Sequence, residues 1–561
     1  MMKQLNPASR ALCTLVAAFS LTSTAALADW LNEPIYKQQY QSINTCQGQY
    51  PSYWQDPNFQ QMWAGQTLTN VPNQAYGGPV FQLSDAFPAQ PVDDKQAQAW
   101  RDKRFDALFA EGTSAKDKYK LALAYSEAVM DYILAGNVQR QGREDFDVCE
   151  NQVRPWFHMP FQTYDAMSGR EFTHGLTREA PVTFSVQAGT GTDQSTMWAV
   201  AIYNATAAYT LGQVWQDGSA KVPSENIRFD EGAVIAKPLF NTSTVAQLPI
   251  LTNMPSWDAN ISDPAFCACK PSDNTRHECT LQEESQQCPR SYAQWGDVKL
   301  LQFDFAVKDS RARDTGWVYG TFVADGLRKA KEKNPWQRIS LLGMMWGNDT
   351  PPAGHYAISY PQAPRENGFQ EAVIIWDSVD ELNKYAGSGR MRAPGHLGCN
   401  QRLNGPADNS NSSCMSCHGT ASVPDKNFDT PPLLSQFSGD QTHQCVAPLI
   451  SSTRAGIDRG GDSAEVKYQV AFDTVDATYF TNVGAGEPFN MMVENEQGQK
   501  VNLMHDSNAP NYVDDDTKQW RSLDYSLQMS IALKQWLQWQ ANTQLDAKQR
   551  AHIKELRRNL E

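Results

Sequence analysis

Five residues, Cys414-Met415-Ser416-Cys417-His418, constrain what this 561-residue chain can fold into more than any other stretch. Two thiols three positions apart can both form thioether bonds to the vinyl groups of one haem, and the His that follows is then held under the iron as its proximal ligand. With eleven Cys and nine His in the chain, about 0.003 matches to C-x-x-C-H are expected by chance. The spacing therefore implies one covalently bound haem c. The competing readings are a Cys414–Cys417 disulfide beside an incidental His, or half of a zinc site, which would need a second ligand pair.

Residues 1–28 have the pattern of a secretory signal: Lys3 and Arg10, the apolar run Ala11–Leu21, and Ala26-Leu27-Ala28 before Asp29. The expected destination is the periplasm, with secretion as the alternative, and either suits haem attachment after membrane crossing. No twin-arginine pair is present, and Cys13 lies inside the apolar run. No later stretch approaches 18 uninterrupted apolar residues, so no transmembrane helix is expected in the mature chain. Losing Lys3 and Arg10 moves the net charge from −14 to −16. That balance argues against nucleic acid as a partner and suits the steering of a basic redox protein.

Eight cysteines remain beyond the signal and the haem pair: Cys46, Cys149, Cys267, Cys269, Cys279, Cys288, Cys399 and Cys445. An even remainder in an exported chain reads as up to four disulfides. Grouping by region pairs Cys46 with Cys149, makes two bridges within 267–288, and joins Cys399 to Cys445. The last would close a loop spanning the haem motif and contribute about 3–4 kcal/mol. A metal site at Cys267, Cys269, His277, Cys279 and Cys288 is the weaker reading, because C-x-C spacing and an oxidising compartment both disfavour zinc.

The expected fold class is α+β in several domains. Residues 29–150 read as an irregular segment followed by a helix, with Tyr119, Ala122, Leu123, Val129, Met130, Ile133 and Leu134 at helical intervals, Ser114 as cap and Gly136 as stop. Residues 151–390 switch to period two. Leu301, Phe303, Phe305 and Val307 alternate with Gln302, Asp304, Ala306 and Lys308, and a polar turn leads to a second strand, Trp317–Val323. Further strands are expected at Thr183–Val186, Met197–Tyr203, Tyr209–Trp215, Ala233–Phe240, Ile339–Trp346 and Ala372–Trp376. Short strands without intervening amphipathic helices predict an antiparallel, sandwich-like domain.

Within that domain His158, His174, His277 and His355 are candidate ligands, each more simply read as a surface or packed residue. The stretch WGNDTPPAGHY around His355 has the residue mix of a binding loop. GTGTD at Gly189–Asp193 lacks the Lys and following helix of a phosphate cradle. No nucleophile–base arrangement is visible in the order of the residues, although such triads assemble in space and not in sequence.

Residues 391–561 are expected to be mostly α-helical. Ser412 or Ser413 caps a short helix carrying Cys414, Cys417 and His418, and Pro424 limits it downstream. A closing helix from Ser522 presents Leu523, Leu527, Ile531, Leu533 and Leu537 on one broad face, with Trp536 pointing elsewhere. This region resembles a cytochrome c domain. The longer stretch HLGCNQRLNGPADNSNSSCMSCHGTA is similar to that of a group of exported bacterial proteins with one haem c behind a large β-rich region. The resemblance implies covalent haem at Cys414 and Cys417 with His418 as axial ligand.

The second axial ligand decides the role, since a filled sixth position suits electron transfer and an open one permits peroxide or gas chemistry. Candidates are Met492 or its neighbour Met491, in a loop before the closing helix, then His443 and His505; Met504 and Met529 are further options, Met529 reading as packing. The expected function is one-electron transfer to a redox partner protein, with the β-rich domain docking that partner or shaping the haem site. The alternatives are a peroxidase-like haem enzyme and a haem-based sensor or ligand-binding protein. A single C-x-x-C-H disfavours the peroxidase, because the familiar bacterial c-type peroxidases carry two haems.

Overall fold

The computed structural model describes residues 87–138, 146, 148, 151–162, 164–165, 170–171, 176–185, 194–216, 219–221, 223–262, 290–350, 368–386, 397–408, 412–424, 479–489, 492–494, 500–502 and 520–543. Residues 1–28, expected to be a signal segment, and Cys46, Cys149, the 267–288 cysteines and Cys445 lie outside them.

Alternating apolar runs broken by polar turns give ten strands of one antiparallel sheet. These are β1 (Trp156–Phe157), β2 (Thr177–Ser185), β3 (Gln194–Ala199), β4 (Ile202–Asn204), β5 (Val234–Asn241), β6 (Ser256–Ser262), β7 (Arg290–Lys308), β8 (Trp317–Ala324), β9 (Ile339–Met345) and β10 (Ala372–Ile374). The order is β1-β4-β5-β7-β8-β9-β10; β6 pairs with the first half of β7, and β2 joins through β3 to β5. The class is thus α+β around an antiparallel sheet. The expected hairpin is present as β7–β8, in register from Gln302 opposite Val323 to Lys308 opposite Trp317.

Both faces of β7 are covered. Leu301, Phe303, Phe305 and Val307 are almost fully buried, and so are Gln302, Ala306 and Lys308 of the alternate set. Helix α1 (Ala115–Leu134) packs against β9 and β10. It starts where Ser114 accepts from Asp117 N and stops before Gly136 at φ 80°. Its Tyr125 hydroxyl donates to Asp309 Oδ2 at 2.8 Å, fixing the helix to the turn after β7. Each large apolar side chain buried in this interface contributes about 1.5–3 kcal/mol.

Three expectations are corrected. Residues 209–214 are not a strand: α2 (Ala205–Val214) runs through them, capped by Asn204, whose side chain accepts from Ala207 N, and of the expected strand only Trp215 is extended, in a two-residue strand with Gln216. The cap and the Ala-rich first turn outweigh the β-favouring aromatics at either end. At Ala372–Trp376 the strand ends with Ile374, and Trp376 opens α3 (Trp376–Ala386). The closing helix begins at Leu527 and not Ser522, and its Trp536 is buried, 7% exposed, against the same core as Leu533.

His158, just beyond β1, is fully buried, and burial lowers its pKa to about 3. Folded, it takes a proton only near pH 3, whereas unfolded it does so near 6.5, so between these values the unfolded chain holds the extra proton. Stability should therefore fall as pH drops through this window. Urea unfolding midpoints between pH 7 and pH 4 check this: His158→Gln should show a visibly flatter decline than the parent.

Candidate functional site

The motif forms α4 (Cys414–Gly419), a helix barely longer than one turn. Such a short helix depends on its caps. Ser413 accepts from Ser416 N at 3.1 Å, and the Ser413 and Ser416 hydroxyls both donate to Asn348 Oδ1 at 2.7 Å. Asn348 comes from the WGND stretch after β9, so one buried amide ties the motif to the sheet.

Upstream, residues 402–408 rest on β7. Gln302 Oε1 accepts from Ala407 N at 3.0 Å, and Gln302 Nε2 donates to Asp408 Oδ2 at 2.9 Å and Asp304 Oδ2 at 2.8 Å. The approach is close enough that a Cβ at Gly405 would lie 1.9 Å from Gln302 Oε1. Arg402, buried, donates to Asn348 O at 2.7 Å and lies 4.6 Å from the centroid of the Phe480 ring. Cys399, beside this loop, is disulfide-bonded.

Downstream, β11 (Ser422–Pro424) pairs antiparallel with β14 (Trp520–Ser522), after β12 (Met492–Glu494) and β13 (Lys500–Asn502). This ribbon carries the following turn back beneath the motif, where His418 Nδ1 lies 2.9 Å from Tyr525 O. A carbonyl can only accept, so Nδ1 carries the proton. Burial, then Lys237, lowers the His418 pKa to about 4 against the opposing pull of Tyr525. The ring is neutral near pH 7, and Nε2 keeps its lone pair.

Cys414, Cys417 and His418 are only half-buried, although Cys414 and His418 lie deep enough for burial to dominate their ionisation. Burial, then Asp408 and Asp304, pushes the Cys414 thiol well up. Burial and Asp408 likewise push the Asp304 carboxyl well above the usual range. The Tyr319 ring of β8 packs against His418, with ring centroids 4.7 Å apart.

The donor set fits haem c. Neither thiol is in a disulfide, which leaves both for thioether formation, and the imidazole has one nitrogen committed to a carbonyl and the other open to a metal. Among the described residues no group of three or more His, Cys, Asp or Glu could hold a metal ion, and the 267–288 cluster lies outside them.

Other expected residues are placed as follows. Met492 opens β12, opposite Asn502; Met491, Met504, His443, His505, His174, His277 and His355 lie outside the described residues. Met529 is fully buried in α5 (Leu527–Thr543), which packs on α4. Sequence reasoning missed Asn348, Lys308, Tyr319, Asp524 and the Tyr525 carbonyl. Only Asn348 had a signal, as part of the loop singled out for its residue mix. Compared with known proteins, the chain matches no family model, no curated protein and no solved structure.

Proposed function

We propose that this chain is an exported monohaem c-type cytochrome, active in the periplasm, that passes single electrons to or from a partner protein. The observation that carries the reading is the His418 Nδ1 to Tyr525 O contact at 2.9 Å. It fixes the tautomer and ring orientation that an iron ligand needs, and it raises the basicity of Nε2. Haem bound there supplies a one-electron iron couple. Cys414 and Cys417 would hold it against loss outside the cytoplasm, and His418 would ligate the iron. Met492 is the residue proposed for the far side, ahead of Met491, His443 and His505.

In this reading residues 391–561 form a cytochrome c-like domain. The sandwich-like region 151–390 shapes the proximal side through Tyr319 and Gln302 and offers its outer surface to the redox partner. The acidic chain favours a basic one.

Carbon monoxide tests the filled sixth position. The reduced protein should not bind it rapidly, while Met492→Ala should. Rapid, complete binding by the unaltered protein would replace electron transfer with the enzyme or sensor reading.

A further inference from the structure

Beneath His418 the chain does something costly. Asp524 and Tyr525, neither of them glycine, both take left-handed backbone, at φ 46° and 67°. Such geometry persists only where the surroundings over-determine it. Here they do, because the fully buried Asp524 carboxylate collects donors from four separate places. Lys308 Nζ reaches it at 2.6 and 2.8 Å, Trp317 Nε1 at 3.1 Å, Phe229 N at 2.8 Å and Gly486 N at 3.1 Å. Tyr525 is pinned at its far end too, its hydroxyl donating to Val483 O at 2.9 Å and accepting from Val483 N at 3.2 Å.

A buried ion pair is poor value for stability alone, since an apolar pair of like volume often does as well. Its place explains it. Lys308 and Trp317 face each other at the end of the β7–β8 hairpin, and the residue after Asp524 presents the carbonyl that His418 uses. That same oxygen also accepts from the Tyr319 hydroxyl, at 3.1 Å. Two donors share one acceptor, and each weakens the other's hold.

We propose that Lys308 and Asp524 are positioning residues for His418: they hold the Tyr525 carbonyl against Nδ1, while Tyr319 competes for that oxygen, and the balance sets how strongly His418 donates to iron. This rests on the haem reading. A stronger Nδ1 hydrogen bond makes Nε2 a better donor, favours the oxidised iron and lowers the reduction potential. Tyr319 and the ion pair therefore act in opposite directions on one measurable quantity.

The experiment uses the full chain, exported and loaded, with covalent haem scored on denaturing gels before any potential is read. Tyr319→Phe, which removes one hydroxyl, should shift the midpoint potential down. Lys308→Met combined with Asp524→Asn, a neutral pair of similar size, should shift it up and speed solvent exchange of the His418 Nδ1 proton. Stained variants whose potentials match the parent, or move in the same direction, overturn the assignment. Should the double variant fail to fold, Tyr319→Phe decides alone, and an unchanged potential there overturns it. A parent chain that takes no covalent haem overturns the haem reading first and this assignment with it.

Discussion

Asp524→Ala alone should cost about 3–5 kcal/mol of folding stability, the range for breaking a buried ion pair by removing one partner. The loss is not of one contact. Lys308 Nζ, Trp317 Nε1 and the backbone N–H groups of Phe229 and Gly486 all lose their acceptor in a site where Asp524 has no exposure. Burial already lowers the Lys308 pKa, and Asp524 is the main opposing influence. Without it the folded chain sheds the Lys308 proton more readily than the unfolded chain does. The deficit should therefore shrink as pH rises, because the unfolded state then holds the extra proton. Urea denaturation at neutral and alkaline pH checks both size and slope. A loss below about 1 kcal/mol would mean the pair is no more than a surface salt bridge in effect.

Cys414→Ala with Cys417→Ala has the larger functional consequence: covalent haem should disappear entirely from the denatured chain, while α4 itself survives. The helix depends on Ser413, Ser416 and Asn348, none of which the substitution touches. Either single substitution leaves one thiol and should leave haem attached by one thioether. Denaturing-gel haem staining of the three variants reads this directly. Staining that persists in the double variant would place the attachment elsewhere.

How much of this was legible follows from the range of each signal. Ser114 was readable as a cap, Gly136 as a stop, and the motif helix's cap as Ser412 or Ser413, of which the structure uses Ser413, because capping is decided within four residues. The β7–β8 hairpin was readable because its period-two pattern and turn are contiguous. Helix α2 shows the opposite case: the aromatics at its end favour a strand, while the deciding residue is the Asn204 cap. The Tyr525 carbonyl beside His418 could not be read at all. A backbone oxygen has no sequence signature, and the pair that holds it, Lys308 and Asp524, is 216 residues apart. Likewise the polar set of β7 looks like a solvated strand face, until the loop at 402–408 and the turn at Asp524 are folded onto it.

Mass spectrometry of the peptide containing Cys414–His418, cut from denatured, exported protein, tests the central claim most directly. The peptide should carry one haem on both sulfurs and no reactive thiol. An unmodified peptide with two alkylatable cysteines, or one with an internal disulfide, would contradict it.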